Sequence, residues 1–476
     1  MRIAKGTNVL IVGLGKSGLS AIRFLQKIEA HVMVSEAKPV DQIDATTLSV
    51  LNESGVDYET GGHSDSFFQQ AEVILASPGV PLDIEPFQQA RARGIAIIGE
   101  LALAETYLRT PVVAVTGTNG KSTVTAMIGK LLEKAGKKVF VGGNIGTPLT
   151  DYLITDQQED VVVLEVSSFQ LDSAGNFRPD IAVLLNITPD HLDRYPAYED
   201  YVTSKFRIFT QQRQQDVAIL NKGDEEILKH VALWGRGKKY FFGDEIGSDA
   251  GAFFKQGKAW FQRVDNAAVE TYNLEGTAFA EEPNRSNALV GILVARLLEC
   301  QPETIERGLK MFEPLPHRMT LVGDVTGIKF YDDSKATNIG AVKAALLAMD
   351  RPVVLIAGGR DKGGDYSYLN DAVRLKVKAM VLIGEAAEKL AAAFGKMTKT
   401  VKAKTMEKAV LKAYCLAGKG EAVLLSPACS SFDMFDSYAH RGEVFTEAVK
   451  MLEQESGILG IRPMSEAECT CILSCD

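Results

Sequence analysis

The residues best suited to chemistry crowd into one short stretch, Thr116-Gly117-Thr118-Asn119-Gly120-Lys121-Ser122-Thr123. Two glycines let backbone N–H groups turn toward a common point, a lysine follows at once, and two hydroxyls come next. Those groups suit nucleotide phosphates and a magnesium ion. Gly117, Thr118, Asn119 and Gly120 would cradle, Lys121 would reach the terminal phosphates, and Ser122 or Thr123 would bind the metal. The usual spacing, G-x-x-x-x-G-K-[ST], puts its first glycine at 115, where Val115 stands; here the glycine is at 117. The bland reading of Gly-Lys-Ser is an ordinary turn. The offset points instead to a subclass of phosphate loop.

The elements around the loop support that reading. Residues 112–116 are an apolar, β-branched run. After Lys121, Val124, Met127, Ile128, Leu131, Leu132 and Ala135 recur at helical spacing, with Gly136 placed to end the helix. Other polar clusters also follow apolar runs. Residues 161–164 lead into Glu165-Val166-Ser167-Ser168-Phe169-Gln170, residues 181–187 form a strand ending in Asn186-Ile187-Thr188-Pro189-Asp190-His191, and residues 139–141 lead into Gly142-Gly143-Asn144. Continuous apolar strands mark a parallel sheet covered on both faces, and such sheets bind ligands beyond their carboxyl ends. Nearer the start, residues 8–12 run into Gly13-Leu14-Gly15-Lys16-Ser17-Gly18, then a helix, then a strand ending at Glu36. This dinucleotide fingerprint says NAD if taken alone, yet any nucleoside diphosphate can rest on such a turn.

The alternation of strands and helices predicts an α/β chain of three domains. They are a Rossmann-like domain at 1–99, with 99–110 as a linker, a phosphate-loop domain with a parallel sheet at 100–314, and a second Rossmann-like domain at 315–456. A tail at 457–476 has no assigned role. Residues 240–277 read as short β segments and turns. A chain of 476 residues with 46 % hydrophobic and 24 % charged residues suits an ordinary globular protein. A net charge of -9 argues against a nucleic-acid partner. With no long apolar segment at the start and no bilayer-length run, a cytoplasmic protein without membrane insertion is expected. Six cysteines are too scattered for a disulfide framework, and the trio Cys469, Cys471 and Cys475 reads as tail.

Six motifs in order resemble the Mur ligases of bacterial peptidoglycan synthesis. They are the loop at 116–123, Gly-Gly-Asn-Ile-Gly at 142–146, Glu-Val-Ser-Ser-Phe-Gln-Leu at 165–171, Asn-Ile-Thr-Pro-Asp-His-Leu-Asp-Arg-Tyr at 186–195, Leu-Pro-His-Arg at 315–318 and Asp-Asp-Ser-Lys-Ala-Thr-Asn at 332–338. The resemblance spans Val9 to Leu452. Residues 191–196, residues 425–429 with Ser431, and the N-terminal glycine turn point within it to the branch that adds D-glutamate.

The resemblance implies that ATP phosphorylates the carboxylate of UDP-N-acetylmuramoyl-L-alanine and that the amino group of D-glutamate then displaces phosphate. By the same resemblance Ser122 and Glu165 hold a first Mg²⁺, His191 stands at a second, and Lys205 carries a carbamate that serves as a metal ligand. From its flanks alone, Lys205 is an exposed helical lysine. Asn144, Asn284, Asn287, Arg318 and Asp333 contact ATP, with Pro283 standing where the family has histidine. Gly15, Lys16, Ser17, Glu36, Lys38 and Ser77 contact the UDP moiety, and Asn144, Ser167 and Gln170 lie near the acyl end. Ala37 lacks the hydroxyl common at its position. D-Glutamate falls to Lys335, Thr337, Lys362, Ser431, Phe432 and Tyr438, the last usually Phe in relatives. A monomer is expected. The alternatives are a Mur ligase of different amino-acid specificity, an NAD-dependent oxidoreductase, which leaves Glu165 and the loop unexplained, or a nucleotide-gated binding protein.

Overall fold

A computed structural model describes residues 2–192, 194–263, 269–280 and 284–458. Pro283 and the three tail cysteines lie outside the described residues. Two compact units emerge. One runs over Met1–Ile187, Glu199–Thr277 and Ser286–Phe312, the other over Thr188–Tyr198, Ala278–Arg285 and Glu313–Asp476.

The first unit holds two sheets. Strands β1 (Asn8–Val12), β2 (His31–Glu36), β3 (Asp57–Thr60), β4 (Val73–Ala76) and β5 (Ala96–Ile98) form an all-parallel sheet of order β3-β2-β1-β4-β5. The order reverses at β1, and the glycine turn follows β1 directly, so the turn opens at the crevice where such sheets take ligands.

The second sheet contains β6 (Val112–Thr116), β7 (Val139–Gly143), β8 (Val161–Glu165), β9 (Ile181–Leu184), β10 (Val217–Asn221), β11 (Lys238–Gly243), β12 (Gly251–Lys255), β13 (Lys258–Gln262) and β14 (Glu270–Asn273). Its order is β14-β13-β12-β11-β10-β9-β6-β8-β7, with antiparallel pairing only where β13 and β14 extend it beyond β12. The switch in order falls at β6, and the phosphate loop follows it. Strand β9 stops at Leu184, short of residue 187, because Asn186 leaves the ladder to hold that loop.

The stretch read as a linker, residues 99–110, is instead a buried helix, Glu100–Glu105. Leu101 and Leu103 are each 1 % exposed, and such burial stabilises a helix too short to form alone. Glu100 accepts hydrogen bonds from the Thr150 N–H and hydroxyl, both at 3.0 Å, and Thr150 meets Ser20 at 2.6 Å. Arg23 adds an ion pair to Asp151 at 2.6 Å. These ties join the helices of the two sheets, which explains why both sheets fall within one unit.

The second unit is built on β15 (Thr320–Val325), β16 (Ile328–Asp332), β17 (Val353–Gly358), β18 (Val377–Ile383), β19 (Lys399–Lys402) and β20 (Ala422–Leu425), in the order β15-β16-β20-β17-β18-β19. All neighbours are parallel except β15 and β16. Val353, Val354, Leu355 and Ile356 of β17 are at most 1 % exposed, as a central strand covered on both faces requires. Among the described residues no helix is long and apolar enough to cross a membrane.

Candidate functional site

The structure accounts for the offset glycine. Val115 is a fully buried residue inside β6, so the loop cannot begin before position 117. Gly117 has φ +150, and a Cβ there would stand 2.9 Å from that of Leu185. Gly120 has φ +84, and its Cβ would meet Asn287 Oδ1 at 2.8 Å, so Asn287 abuts the loop. Both positions therefore need glycine. Asn186 clamps the other side. Its carbonyl accepts from the Thr118 N–H, its side-chain oxygen accepts from the Asn119 N–H at 2.8 Å, and its amide donates to the Asn119 carbonyl at 3.0 Å. Lys121 opens the helix Lys121–Lys134 and donates to the Gly117 and Thr118 carbonyls at 2.9 and 2.8 Å. Ser122 and Thr123, in the first turn of that helix, are 8 % and 5 % exposed. An N-terminal turn of this kind presents N–H groups and positive potential to an anion.

Glu165 ends β8 and is buried. One oxygen accepts from the Asn144 side-chain amide at 2.7 Å, and the other, itself buried, has no hydrogen-bond partner among the described residues. Asn144 is fixed in turn, its backbone N–H donating to the Glu165 carbonyl at 2.9 Å. A buried carboxylate oxygen without a partner costs roughly 1–3 kcal/mol unless something outside the chain engages it. A cation would engage that oxygen. Among the described residues no three His, Cys, Asp or Glu side chains gather as a metal cluster. A single buried carboxylate such as that of Glu165 suits magnesium, which binds through one or two carboxylates plus phosphate and water oxygens.

Lys205 corrects an expectation. It is 1 % exposed, not a surface residue, and it donates to the Gly117 carbonyl at 2.9 Å with its Nζ 4.5 Å above the Tyr201 ring. The helix Tyr198–Phe206 turns this face inward because Tyr201, Val202 and Phe206 on it are core residues. Tyr201 also meets the Thr118 hydroxyl at 2.9 Å, so the helix braces the loop at two points.

A cavity of about 800 Å³ opens beside the glycine turn, large enough for a nucleotide-linked sugar. It brings together Gly15, Lys16, Ser17, Glu36, Lys38, Ser77, Asn144 and Gln170. Glu36 does not hang free in it, since its two oxygens accept from the backbone N–H groups of Leu14 and Lys38 at 2.7 and 2.9 Å. It pins the turn to the end of β2. Ser77 likewise donates to the Gly13 carbonyl. Ser167 is not among the lining residues. Its hydroxyl accepts from the Gln170 N–H, which caps its own helix.

In the second unit, Asp190, His191, Thr337 and Lys362 line a cavity of about 20 Å³, room for a water molecule and not an amino acid. Asp190 ties its lining together, accepting from Asn338 Nδ2 at 3.1 Å and from the His191 N–H at 2.9 Å, with Lys362 Nζ 3.8 Å away. Lys335, Ser431, Phe432 and Tyr438 do not line it. Lys335 sits 3.6 Å above the Tyr438 ring, Ser431 is buried, and Phe432 is 65 % exposed. His191 adopts φ 56, and His317 and Met319, on either side of Arg318, adopt φ 61 and 51. Three non-glycine residues in the left-handed region mark the segments that aim these side chains. Asp333 is buried, accepts from the Ser426 hydroxyl at 2.9 Å and from the Met319 N–H at 3.3 Å, and is pushed up by burial to a pKa of about 7. Asn284 opens the helix Asn284–Leu297.

Comparison with known proteins then decides the family. The Mur ligase MurD-like N-terminal domain matches residues 7–99, the Mur ligase middle domain residues 115–295, and the Mur ligase glutamate ligase domain residues 317–429. The UDP-N-acetylmuramoylalanine--D-glutamate ligase of Desulfotalea psychrophila is 43% identical over 447 residues, covering 94% of this chain and 96% of its own. The protein of that name from Geotalea daltonii is 41% identical, covering 94% and 98%. The chain belongs to the Mur ligase family. Among solved structures, a pseudomurein peptide ligase type C from Methanothermus fervidus shares the fold with a TM-score of 0.58 at 19% identity over 94% of this chain and 100% of its own. The MurF ligase from Thermotoga maritima in complex with ADP does so at 0.58 and 19%, covering 95% and 96%.

Within this Mur ligase, the motifs did not disclose the groups that set the motif residues in place. Arg441 is fully buried. It donates to the Ser334 hydroxyl and carbonyl at 2.9 and 2.8 Å and to the carbonyls of Cys429 and Ser430, joining the loop that carries Asp333 and Lys335 to the one before Ser431. Burial lowers its pKa to about 10, so it stays charged at neutral pH. An arginine early in the helix Tyr438–Ile458 carries no sequence signal of burial. Asn186 and Asp190 did have one, standing inside a quoted motif.

Proposed function

We infer that this Mur ligase joins D-glutamate to UDP-N-acetylmuramoyl-L-alanine at the expense of ATP, releasing ADP and phosphate. The observation that carries the reading is the match at 41–43% identity, over 94% of the chain, to ligases named for that reaction. The geometry agrees with it. A phosphate loop stands at one switch point, a nucleotide-sized cavity at the other, and the cavity reaches Asn144, which bonds Glu165.

ATP and both acceptor substrates are anionic, so rate enhancement must come from positioning and from cations that neutralise developing charge. Lys121 and the N–H groups of residues 117–120 hold the triphosphate. When bound, Mg²⁺ screens the phosphates, and Ser122 and Glu165 are the residues that would hold it. The carbamate on Lys205, a second ion at His191, and a cytoplasmic monomer belong to the same proposal. The acyl carboxylate attacks the γ-phosphorus and ADP leaves. The amine of D-glutamate then adds to the acyl phosphate carbon, and phosphate departs with the proton the nitrogen sheds as the amide forms. Asn144 and Gln170 orient the acyl end, Arg318 and Asp333 serve ATP, and Lys335, Thr337, Lys362 and Ser431 receive the two carboxylates of D-glutamate. Lys362 must exchange Asp190 for a substrate carboxylate, which calls for rearrangement around the small cavity on binding.

An amino-acid panel tests the assignment. Phosphate release with ATP and UDP-N-acetylmuramoyl-L-alanine is expected with D-glutamate alone. Release with another amino acid would move the chain to a different branch.

A further inference from the structure

The substrate cavity extends past the glycine turn to a group of residues that the phosphate and acyl chemistry leaves unused: Gln42, Asp44, Thr47 and His63. His63 follows β3, two strands along from β1. It is half-buried, and its ring is fixed on two sides. Phe68 meets it edge-on with centroids 5.9 Å apart, and Nδ1 lies 2.7 Å from the hydroxyl of Ser35, which is fully buried.

The neighbouring bonds settle which nitrogen carries the proton. Ser35 donates its single hydroxyl hydrogen to Glu59 Oε1 at 2.6 Å. Glu59 also accepts from the Ser64 N–H at 3.0 Å and from the Ser64 hydroxyl. The Ser35 oxygen can therefore only accept from His63, so Nδ1 bears the hydrogen. In the neutral ring Nε2 is then a bare acceptor, and no described residue bonds to it. Glu59 and Glu36 pull the ring toward protonation, yet burial outweighs them and lowers its pKa below the ordinary 6.5. Lys38 and Asp44, from the stretch after β2, are the other charged groups lining this end.

We propose that His63 reads the nucleobase of the substrate, its Nε2 accepting a hydrogen bond from a ring N–H of the uracil type. This rests on the reading of the cavity as the site of a UDP-linked substrate. With the diphosphate on the glycine turn and the acyl group toward Asn144, the base falls to the remaining end. Uracil offers a hydrogen at N3. Cytosine offers a lone pair there and faces Nε2 acceptor to acceptor. The relay from Glu59 through Ser35 thus makes His63 a specificity residue.

The test is competition of UDP, CDP and N3-methyl-UDP against the UDP-linked substrate, using the full chain and His63→Ala and His63→Gln. The intact protein is expected to favour UDP over both analogues. His63→Ala should weaken UDP about fivefold, the size of one neutral hydrogen bond, and leave CDP bound no more weakly, while the glutamine carbonyl restores part of the preference. In the intact protein the UDP-to-CDP ratio should also fall as acid protonates Nε2, and in His63→Gln it should stay flat. Equal losses for UDP and CDP in His63→Ala, or N3-methyl-UDP binding as well as UDP, would overturn the role of His63 alone. An intact protein that binds neither UDP nor its analogues would overturn the reading of the cavity, and the role of His63 with it.

Discussion

Replacing Lys205 by methionine separates a brace from a working group. Methionine keeps the aliphatic stem against Tyr201 and removes only the nitrogen. The structure gives that nitrogen a hydrogen bond to the Gly117 carbonyl at 2.9 Å and a place 4.5 Å above the Tyr201 ring. A hydrogen bond from a charged donor contributes about 1.5–3 kcal/mol and a cation over a ring about 0.5–2 kcal/mol. Against these stands the desolvation of an ammonium at 1 % exposure, several kcal/mol. For the unmodified lysine the opposing terms nearly cancel, so without bicarbonate Lys205→Met is expected to fold with stability within about 2 kcal/mol of the parent. Its activity should fall about 10²–10³-fold, the loss typical of removing one electrostatic group from a reacting centre. Thermal unfolding and phosphate release, each with and without added bicarbonate, read both quantities. The parent should respond to bicarbonate and carry the mass of a carbamate on Lys205, and the variant should do neither. A variant that unfolds readily yet keeps its turnover within about threefold would show Lys205 to be only a prop for the loop.

Other outcomes follow from the same geometry. Glu165→Gln neutralises a buried, half-satisfied carboxylate, so it should raise the stability of the unliganded protein by about 1 kcal/mol while sharply lowering turnover and raising the magnesium needed for half-maximal rate. Lys362→Ala removes a cation expected to meet a substrate carboxylate and should raise KM for D-glutamate about tenfold or more, with a smaller change in KM for ATP. Asp333 has a folded pKa near 7 against an ordinary 3.8, so the folded state holds an extra proton between those values. The stability this confers is complete below 3.8 and is lost as pH rises through 7. Asp333→Asn should therefore flatten the pH dependence of unfolding in that window, by at most about 4 kcal/mol. An unaltered slope in the variant would exclude Asp333 as its source.

The sequence made the strands and turns legible because they are local. An apolar run bounded by Gly or Asn betrays a buried parallel strand, and the Thr-Gly-Thr-Asn-Gly-Lys order betrays a phosphate loop whatever its spacing. Even the offset glycine had a local cause, since Val115 belongs to the strand. What escaped was set by contacts distant in sequence. Lys205 lies 88 residues from the carbonyl it bonds, and Arg441 lies 107 residues from Ser334. Residues 99–110 looked like a connector because six helical residues carry too little periodic signal. Thr150, 50 positions on, shows why Glu100 turns inward. The tautomer of His63 depends on hydroxyls and a carboxylate from three elements, and no spacing rule encodes it.

The central claim is that the γ-phosphoryl group passes to the substrate carboxylate before the amide forms. Labelling that carboxylate of UDP-N-acetylmuramoyl-L-alanine with ¹⁸O and turning the enzyme over with ATP and D-glutamate tests it directly, by mass analysis of the phosphate released. One labelled oxygen in each phosphate is the predicted result. Phosphate free of label, with the amide formed, would contradict the acyl phosphate and the role given to the loop at 117–123.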